Sequence, residues 1–308
     1  MFPVFDAHCD TASVLLDSRG ELFENSFQLD LKRIKALNAP FVQVFAAFVT
    51  KDNANKRAKD IINYYHHLMK NTEGIMHCTS VHEIKAALSK GDAAALLSIE
   101  GGDAIEKDIR NLKTFYDMGV RILTLSWNFG NEICSGNGDG EDYGITDFGK
   151  EVIKKMNSLK MLADASHISD KSFWDLCEIS DMPFIVSHSN SRALCPHGRN
   201  LTDEQIKAVI NKGGCIGLNF YPVFLAEGRK SGIKDIIRHA EHILALGGEN
   251  NLGFGSDFDG VDSLPEDISG VESYSCIAEE FLRRGYSEDI LRKIFFDNFL
   301  RVMKKVLN

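Results

Sequence analysis

The sequence is poor in the features that mark several protein classes. Only 6 of its 308 residues are proline, and no tract is dominated by one or two residue types, so no long disordered segment is expected. Seven cysteines (Cys9, Cys78, Cys134, Cys177, Cys195, Cys215 and Cys276) are scattered without a single Cys-x-x-Cys pair. An odd and dispersed set of this kind reads as reduced thiols. No apolar run approaches the roughly 20 residues of a membrane-spanning helix. No charged-then-apolar leader precedes His8, so a signal peptide is not expected. Lysine and arginine form no cluster, and 44 acidic against 35 basic residues give a formal charge of -9, which argues against nucleic acid as a partner. A cytoplasmic enzyme is the simplest fit to these absences.

What is present is a large apolar fraction, 44% of residues, arranged as strand-like runs alternating with amphipathic helical stretches. The runs are continuously apolar, as in a parallel sheet buried on both faces. Eight can be counted. The first is Val4-Phe5, ending in Asp6-Ala7-His8-Cys9-Asp10, and the second is Phe41 to Phe48. The third runs from Ala94 to Ile99, the fourth from Arg121 to Trp127, the fifth from Met161 to Ala165 and the sixth from Phe184 to Ser187. Cys215 to Phe220 and Leu252 to Asp257 are the seventh and eighth. Leu29, Leu31, Ile34 and Leu37 carry a helical spacing, Ala54 to Lys70 another, and a helical tail is expected from about 287 to 306. Ser169 reads as an N-cap, and Thr202 with Gln205 as a capping box. Eight strands separated by helices predict a single (β/α)8 barrel over residues 1-308, a size that this fold commonly reaches as one domain.

Such a barrel carries its active site at the carboxyl ends of its strands, and metal-ligand types fall there repeatedly. His8 and Asp10 follow the first strand, Glu100 the third, His167 the fifth, His188 the sixth and Asp257 the eighth. In an extended chain His8 and Asp10 would point to one face; a loop could bring them together as well. Three histidines and three carboxylates exceed what one zinc requires, since a catalytic zinc usually takes three protein ligands plus water. Two metals are implied, with Glu100 able to bridge them through its two oxygens, which is hydrolytic hardware. Taken singly each residue has an ordinary alternative: a hydrogen-bonded strand end for His8 and Asp10, a lysine pair for Glu100, a turn cap for Asp257. His66, His67, His239 and His242 fall within helical patterns, and His77 and His82 flank a loop, where solvated or capping roles are expected.

The segments Asp6-Ala7-His8-Cys9-Asp10, Ser98-Ile99-Glu100-Gly101-Gly102, Asp164-Ala165-Ser166-His167, Ser187-His188-Ser189, Arg199-Asn200 and Gly255 to Val261 together resemble the membrane (renal) dipeptidase family of zinc peptidases. This is a branch of the metal-dependent amidohydrolase barrels. The resemblance covers nearly the whole chain. It implies two zinc ions per chain, one held by His8 and Asp10, the other by His167 and His188, with Glu100 bridging. It further implies that Arg199 contacts the terminal carboxylate of a small dipeptide and that Asp257 orients the attacking water and handles its proton. Without the family match Arg199 could be a surface ion-pair partner, and Asp259 in the same loop could compete with Asp257.

Two departures stand out. Trp127 occupies the place where renal-type members have a histidine that stabilises the developing oxyanion; Asn128 beside it could donate a hydrogen bond, or the metal alone could carry that charge. The chain closes on Lys305-Val306-Leu307-Asn308 with no hydrophobic tail for a lipid anchor, so a membrane location is not expected. The implied activity is a dipeptidase that tolerates a D-residue at the second position, in a family whose members are often dimers. A hydrolase of cyclic amides or phosphoesters, or a metal-dependent binding protein without turnover, are the alternatives.

Overall fold

The apolar runs assemble into one closed parallel barrel. The computed structural model describes residues 1–307, with strands β1 (Val4–Cys9), β2 (Phe41–Phe48), β3 (Ile75–His77), β4 (Ala93–Glu100), β5 (Val120–Thr124), β6 (Leu162–Asp164), β7 (Ile185–Val186), β8 (Cys215–Leu218) and β9 (Leu252–Phe254). Pairing runs in the order β2, β1, β9, β8, β7, β6, β5, β4, and β4 pairs back onto β2 to close the ring. Helices on the outside complete a (β/α)8 barrel. Residues Glu288–Arg292, Lys293–Asp297 and Asn298–Val306 form a nearly continuous helical run, with Lys293–Asp297 a π-helical turn.

The eight barrel strands coincide with the eight apolar runs, and β3 is an addition that the sequence did not reveal. It pairs with Ala93–Ala95 of β4, below the point at which β5 takes over at Leu97. Only three residues long and ending in polar His77, it carries no apolar run to read. His77 is therefore part of a strand and not a loop: Tyr65 places its hydroxyl 2.8 Å from Nδ1, and burial holds the imidazole down at about 4. Several observed strands are shorter than the runs that predicted them. Ladder pairing ends at Thr124, Leu218 and Phe254, while the apolar chain continues into the loops that carry the site.

Two packed layers follow from the strand alternation. One cluster joins Phe5, Ala7, Val42, Val44, Leu96 and Ile122 with Phe299 and Met303 of the last helix, filling the barrel interior from below. The complementary residues, such as Val4, Phe45, Leu97 and Leu123, pack outward against Leu15, Ile61, Phe115 and Val152 of the surrounding helices. Caps fix the helix starts: Ser169 accepts from the Ser172 N–H, and Thr202 and Gln205 form the reciprocal box.

Near the top of the barrel the space narrows until it admits no side chain at Gly255. A Cβ there would lie 1.8 Å from the Ser187 carbonyl oxygen and 3.2 Å from the His188 Cβ. Gly255→Ala should thus lower stability by about 1–3 kcal/mol through overpacking. Gly140→Ala, where no atom stands within 4 Å, should change it by less than about 0.5 kcal/mol. Urea unfolding of the two variants checks the contrast, and equal midpoints would show that β7 yields freely.

Candidate active site

Every ligand candidate lies at the carboxyl end of the barrel, but the local routes differ from simple strand alternation. Asp6 pairs with Gln43 and Cys9 with Phe45, so β1 carries a bulge with one residue more than β2. A bulge of this kind re-aims a side chain, and here it turns His8 inward. Asp10 has left the strand and stands at the start of helix Thr11–Ser18. The two converge through bulge and turn, with His8 Nε2 3.4 Å from Asp10 Oδ2. Glu100 is the last residue of β4. His167 and Asp257 follow β6 and β9 with φ of 69 and 65, a left-handed backbone uncommon outside glycine.

Glu100 faces both halves of the cluster. Its Oε2 is 3.4 Å from His8 Nε2, while its Oε1 is 2.9 Å from His167 Nε2 and 3.5 Å from His188 Nε2. Asp257 Oδ1 lies 3.7 Å from His8 Nε2, and Asn219 donates to its other oxygen at 2.9 Å. Asp259 is turned aside, accepting from the Thr11 hydroxyl and the Gln28 N–H, both at 2.6 Å. All six ligand candidates are buried.

Burial sets the electrostatics. Desolvation pushes Glu100 up to about 7, against the opposing pull of His8, and raises Asp257 as well. Desolvation disfavours a charged His8, but the carboxylates of Glu100 and Asp10 outweigh it and hold its pKa well above the ordinary value. His167 and His188 are held well below theirs, first by burial and then by the charges of Arg199 and His8.

The arrangement fits cations. His8 Nε2 and Asp10 Oδ1 are buried without any hydrogen-bond partner. Ligand atoms roughly 2.0–2.2 Å from a tetrahedral ion stand about 3.3–3.6 Å from one another; the His8–Asp10, His8–Glu100 and His188–Glu100 separations fall in that range, while His167 stands closer, 2.9 Å from Glu100 and 2.8 Å from His188. Ser187 donates its hydroxyl to Asp164 at 2.6 Å and lies 2.7 Å from His188 Nδ1. Its oxygen thereby accepts the Nδ1 proton, which leaves Nε2 with a free lone pair aimed at the cluster.

This supporting layer was not legible in the sequence. Asp164 also accepts from Thr124 and from the backbone N–H groups of Ser166 and Ser187. Asp6 does the same on the opposite side, accepting from the His8 and Ser256 N–H groups and the Ser256 and Tyr274 hydroxyls. A carboxylate inside an otherwise apolar strand was the available signal, in the first and fifth runs alike.

Arg199 is 5% exposed. Its Nη2 donates to the His188 carbonyl at 3.1 Å, its Nε has no partner, and no carboxylate among the described residues lies within ion-pairing range. It stands behind Phe224, with the guanidinium carbon 5.5 Å from the ring centre. His197, which the sequence reading passed over, accepts from the Arg199 N–H through Nδ1 and packs on Phe224. Above the cluster opens a cavity of about 610 Å³ whose lining includes Asp10, Glu100, His167, Asp257, Phe48, Trp127, Asn128, Tyr221 and Phe224, a volume suited to a small ligand. Trp127 forms one wall, edge-on to Phe48. Exposed Asp17, Asp52 and Asp262 border the same cavity.

Three imidazoles and three carboxylates gathered at the carboxyl end of a (β/α)8 barrel define a metal-dependent hydrolase. The chain belongs to the membrane dipeptidase family, peptidase family M19, whose family model it matches over residues 1–308. It is 36% identical over 239 residues to a Klebsiella pneumoniae protein encoded in the pqqA 5' region, covering 74% of this chain and 88% of that one. Among solved structures it is similar to a metallopeptidase from Rhodobacter sphaeroides liganded with a phosphinate mimic of the dipeptide L-Ala-D-Ala, with 27% identity, 99% of both chains covered and a TM-score of 0.92. It is also similar to the family M19 dipeptidase AC, with 28% identity, the same coverage and a TM-score of 0.91. Among the described residues no helix is long and apolar enough to cross a membrane.

A prediction follows from the metal-free charges. Ligation by Glu100 and His8 would need both deprotonated, and both are shifted upward, Glu100 to about 7. Metal binding below pH 7 must displace protons, and each proton displaced weakens affinity about tenfold per pH unit of acidification. His167 and His188, shifted downward, stay neutral and add nothing to this dependence. Titration calorimetry with zinc at pH 6, in buffers of different ionisation enthalpy, should register proton release that declines as the pH is raised. A pH-independent affinity would contradict the assignment.

Proposed function

We propose that the protein is a dinuclear zinc dipeptidase that cleaves free dipeptides, including those with a D-residue at the second position. His8 and Asp10 would hold one zinc, His167 and His188 the other, and Glu100 would bridge them. The opposed contacts of its two oxygens support that role. When bound, such a pair would acidify a water and polarise the scissile carbonyl.

The chain's own residues then divide the work. Asp257, held by Asn219, takes the proton of the attacking water and delivers it to the leaving amine. Arg199 binds the substrate's terminal carboxylate through its planar fork, while Trp127 and Phe48 wall the cavity on the far side. The observation that carries the dipeptide reading is Arg199 itself, because a buried guanidinium without a counter-ion is costly unless an anionic ligand completes it. A dipeptide held by that residue would present its scissile carbonyl to the metal ligands, whereas a longer peptide would have to force its carboxylate past the fork. The phosphinate mimic of L-Ala-D-Ala bound by the similar Rhodobacter enzyme supports both the length and the second-position D-residue.

Losing a charged hydrogen bond in a desolvated site costs about 1.5–3 kcal/mol, or roughly 10- to 150-fold in kcat/KM. Arg199→Ala should lower kcat/KM by that factor on L-Ala-D-Ala and related free dipeptides, and barely change it on the corresponding amides. Equal losses on acid and amide would remove Arg199 from substrate recognition.

The metal count has its own test. Glu100→Gln keeps the shape and removes the bridging charge, so zinc content measured by elemental analysis should fall below two per chain, and activity should fall by orders of magnitude. Active wild-type protein saturated at one zinc would refute the bridge.

A further inference from the structure

The turn after β5 presents one side chain with two distinct faces. Asn128 is half-buried and lines the cavity beside Glu100, Trp127 and His167. Its side-chain oxygen lies 2.9 Å from His167 Nδ1, a contact that would hold the imidazole proton on Nδ1 and free Nε2 for a metal ion. The side-chain nitrogen has no hydrogen-bond partner among the described residues. Because both atoms sit on one planar carbon, fixing the oxygen against His167 also fixes the NH2, in a side chain that lines the cavity.

The backbone around this pair is clamped from outside. Gly138 donates to the Asn128 carbonyl at 2.7 Å, and Asn137 donates to the His167 carbonyl at 2.8 Å. The two residues are thereby held by adjacent links of one loop. The approach is too close for a side chain at Gly136, where a Cβ would stand 2.5 Å from the Asn128 backbone carbonyl oxygen. Asn131 secures the turn itself, donating to the Leu125 carbonyl at 3.0 Å and to Asp103 at 3.1 Å. A side chain held this firmly suits a site that must present a donor without rearrangement.

We propose that Asn128 has two roles: its oxygen orients His167 for ligation, and its NH2 donates a hydrogen bond to the oxygen of the scissile carbonyl as charge develops there. This rests on the dipeptidase reading and names the residue that fills the electrophilic role left open by Trp127. The two roles are separable by substitution. Asn128→Asp keeps an oxygen for His167 and removes the NH2. Asn128→Leu removes both at similar volume.

Zinc affinity is measured by competition with a chromogenic chelator, kcat and KM on L-Ala-D-Ala, and inhibition by a phosphinate dipeptide mimic. Asn128→Asp should keep zinc Kd within about threefold of wild type, while kcat falls roughly 10²–10³-fold, as for loss of one oxyanion donor. KM should change little and phosphinate binding should weaken in parallel with kcat/KM, because the bond strengthens only as charge develops. Asn128→Leu should show the same catalytic loss and a zinc Kd weakened about 10- to 100-fold, the usual effect of removing a partner that orients a ligand. Wild-type kcat in Asn128→Asp overturns the donor role, and wild-type zinc affinity in Asn128→Leu overturns the orienting role. A wild-type protein that neither cleaves dipeptides nor binds the phosphinate overturns the dipeptidase reading and the donor role with it, while the zinc comparison still decides the other half.

Discussion

The structure depends on placing three carboxylates and three imidazoles together out of water. An isolated buried carboxylate is costly enough that it normally shifts its pKa and takes up a proton, and the upward shifts of Glu100 and Asp257 express that cost. The protein tolerates the cluster because rigid elements fix the geometry independently of the charges. The parallel ladder sets the height of each strand end, and two further buried carboxylates, Asp6 and Asp164, tie neighbouring ends together through four hydrogen bonds each. Asp6 links the His8 strand to the segment leading to Asp257, and Asp164 links the segments bearing His167 and His188.

Local backbone cost enters at the same points. The bulge at His8 and the positive φ of His167 and Asp257 are departures that an unconstrained chain avoids, at about 1–3 kcal/mol for each left-handed residue. They persist because neighbouring links over-determine them. Asp257 donates its N–H to the His8 carbonyl at 3.2 Å, and Asp10 donates to the Phe258 carbonyl at 2.8 Å. The chain after β9 is thus stitched to the bulged end of β1, and Asp257 cannot relax without moving His8.

Architecture was legible in the sequence because a parallel sheet covered on both faces needs uninterrupted apolar strands, and eight such runs were there to count. The clustering of metal-ligand residue types was legible because this fold confines chemistry to strand ends. Boundaries were less so: hydrophobicity continues through Leu125, Phe220 and Phe258, which are buried beyond the last ladder pairs, so burial and pairing part company there. Strand β3 was too short to carry a pattern. The direction of a serine hydroxyl or an asparagine amide has no periodic signature, which is why Ser187, Asn219 and the oxygen of Asn128 toward His167 emerged only in three dimensions. Arg199 was visible as a residue type, but its lack of a counter-ion was not.

That missing counter-ion and the carboxylate cluster are two sides of one electrostatic problem. Without metal ions, the carboxylate cluster would disfavour a substrate carboxylate, with only Arg199 and a protonated His8 to offset it. On the two-zinc reading the balance changes: two dications offset the three carboxylates and one hydroxide, and Arg199 leaves a net positive charge. The interior of the cavity then becomes cationic while Asp17, Asp52 and Asp262 at its border stay anionic. A zwitterionic dipeptide meets that gradient with its carboxylate directed inward and its ammonium toward the rim. Metal loading would therefore create the field that orients the substrate as well as the chemistry that cleaves it, and binding of a carboxylate ligand should track metal occupancy even where no turnover takes place.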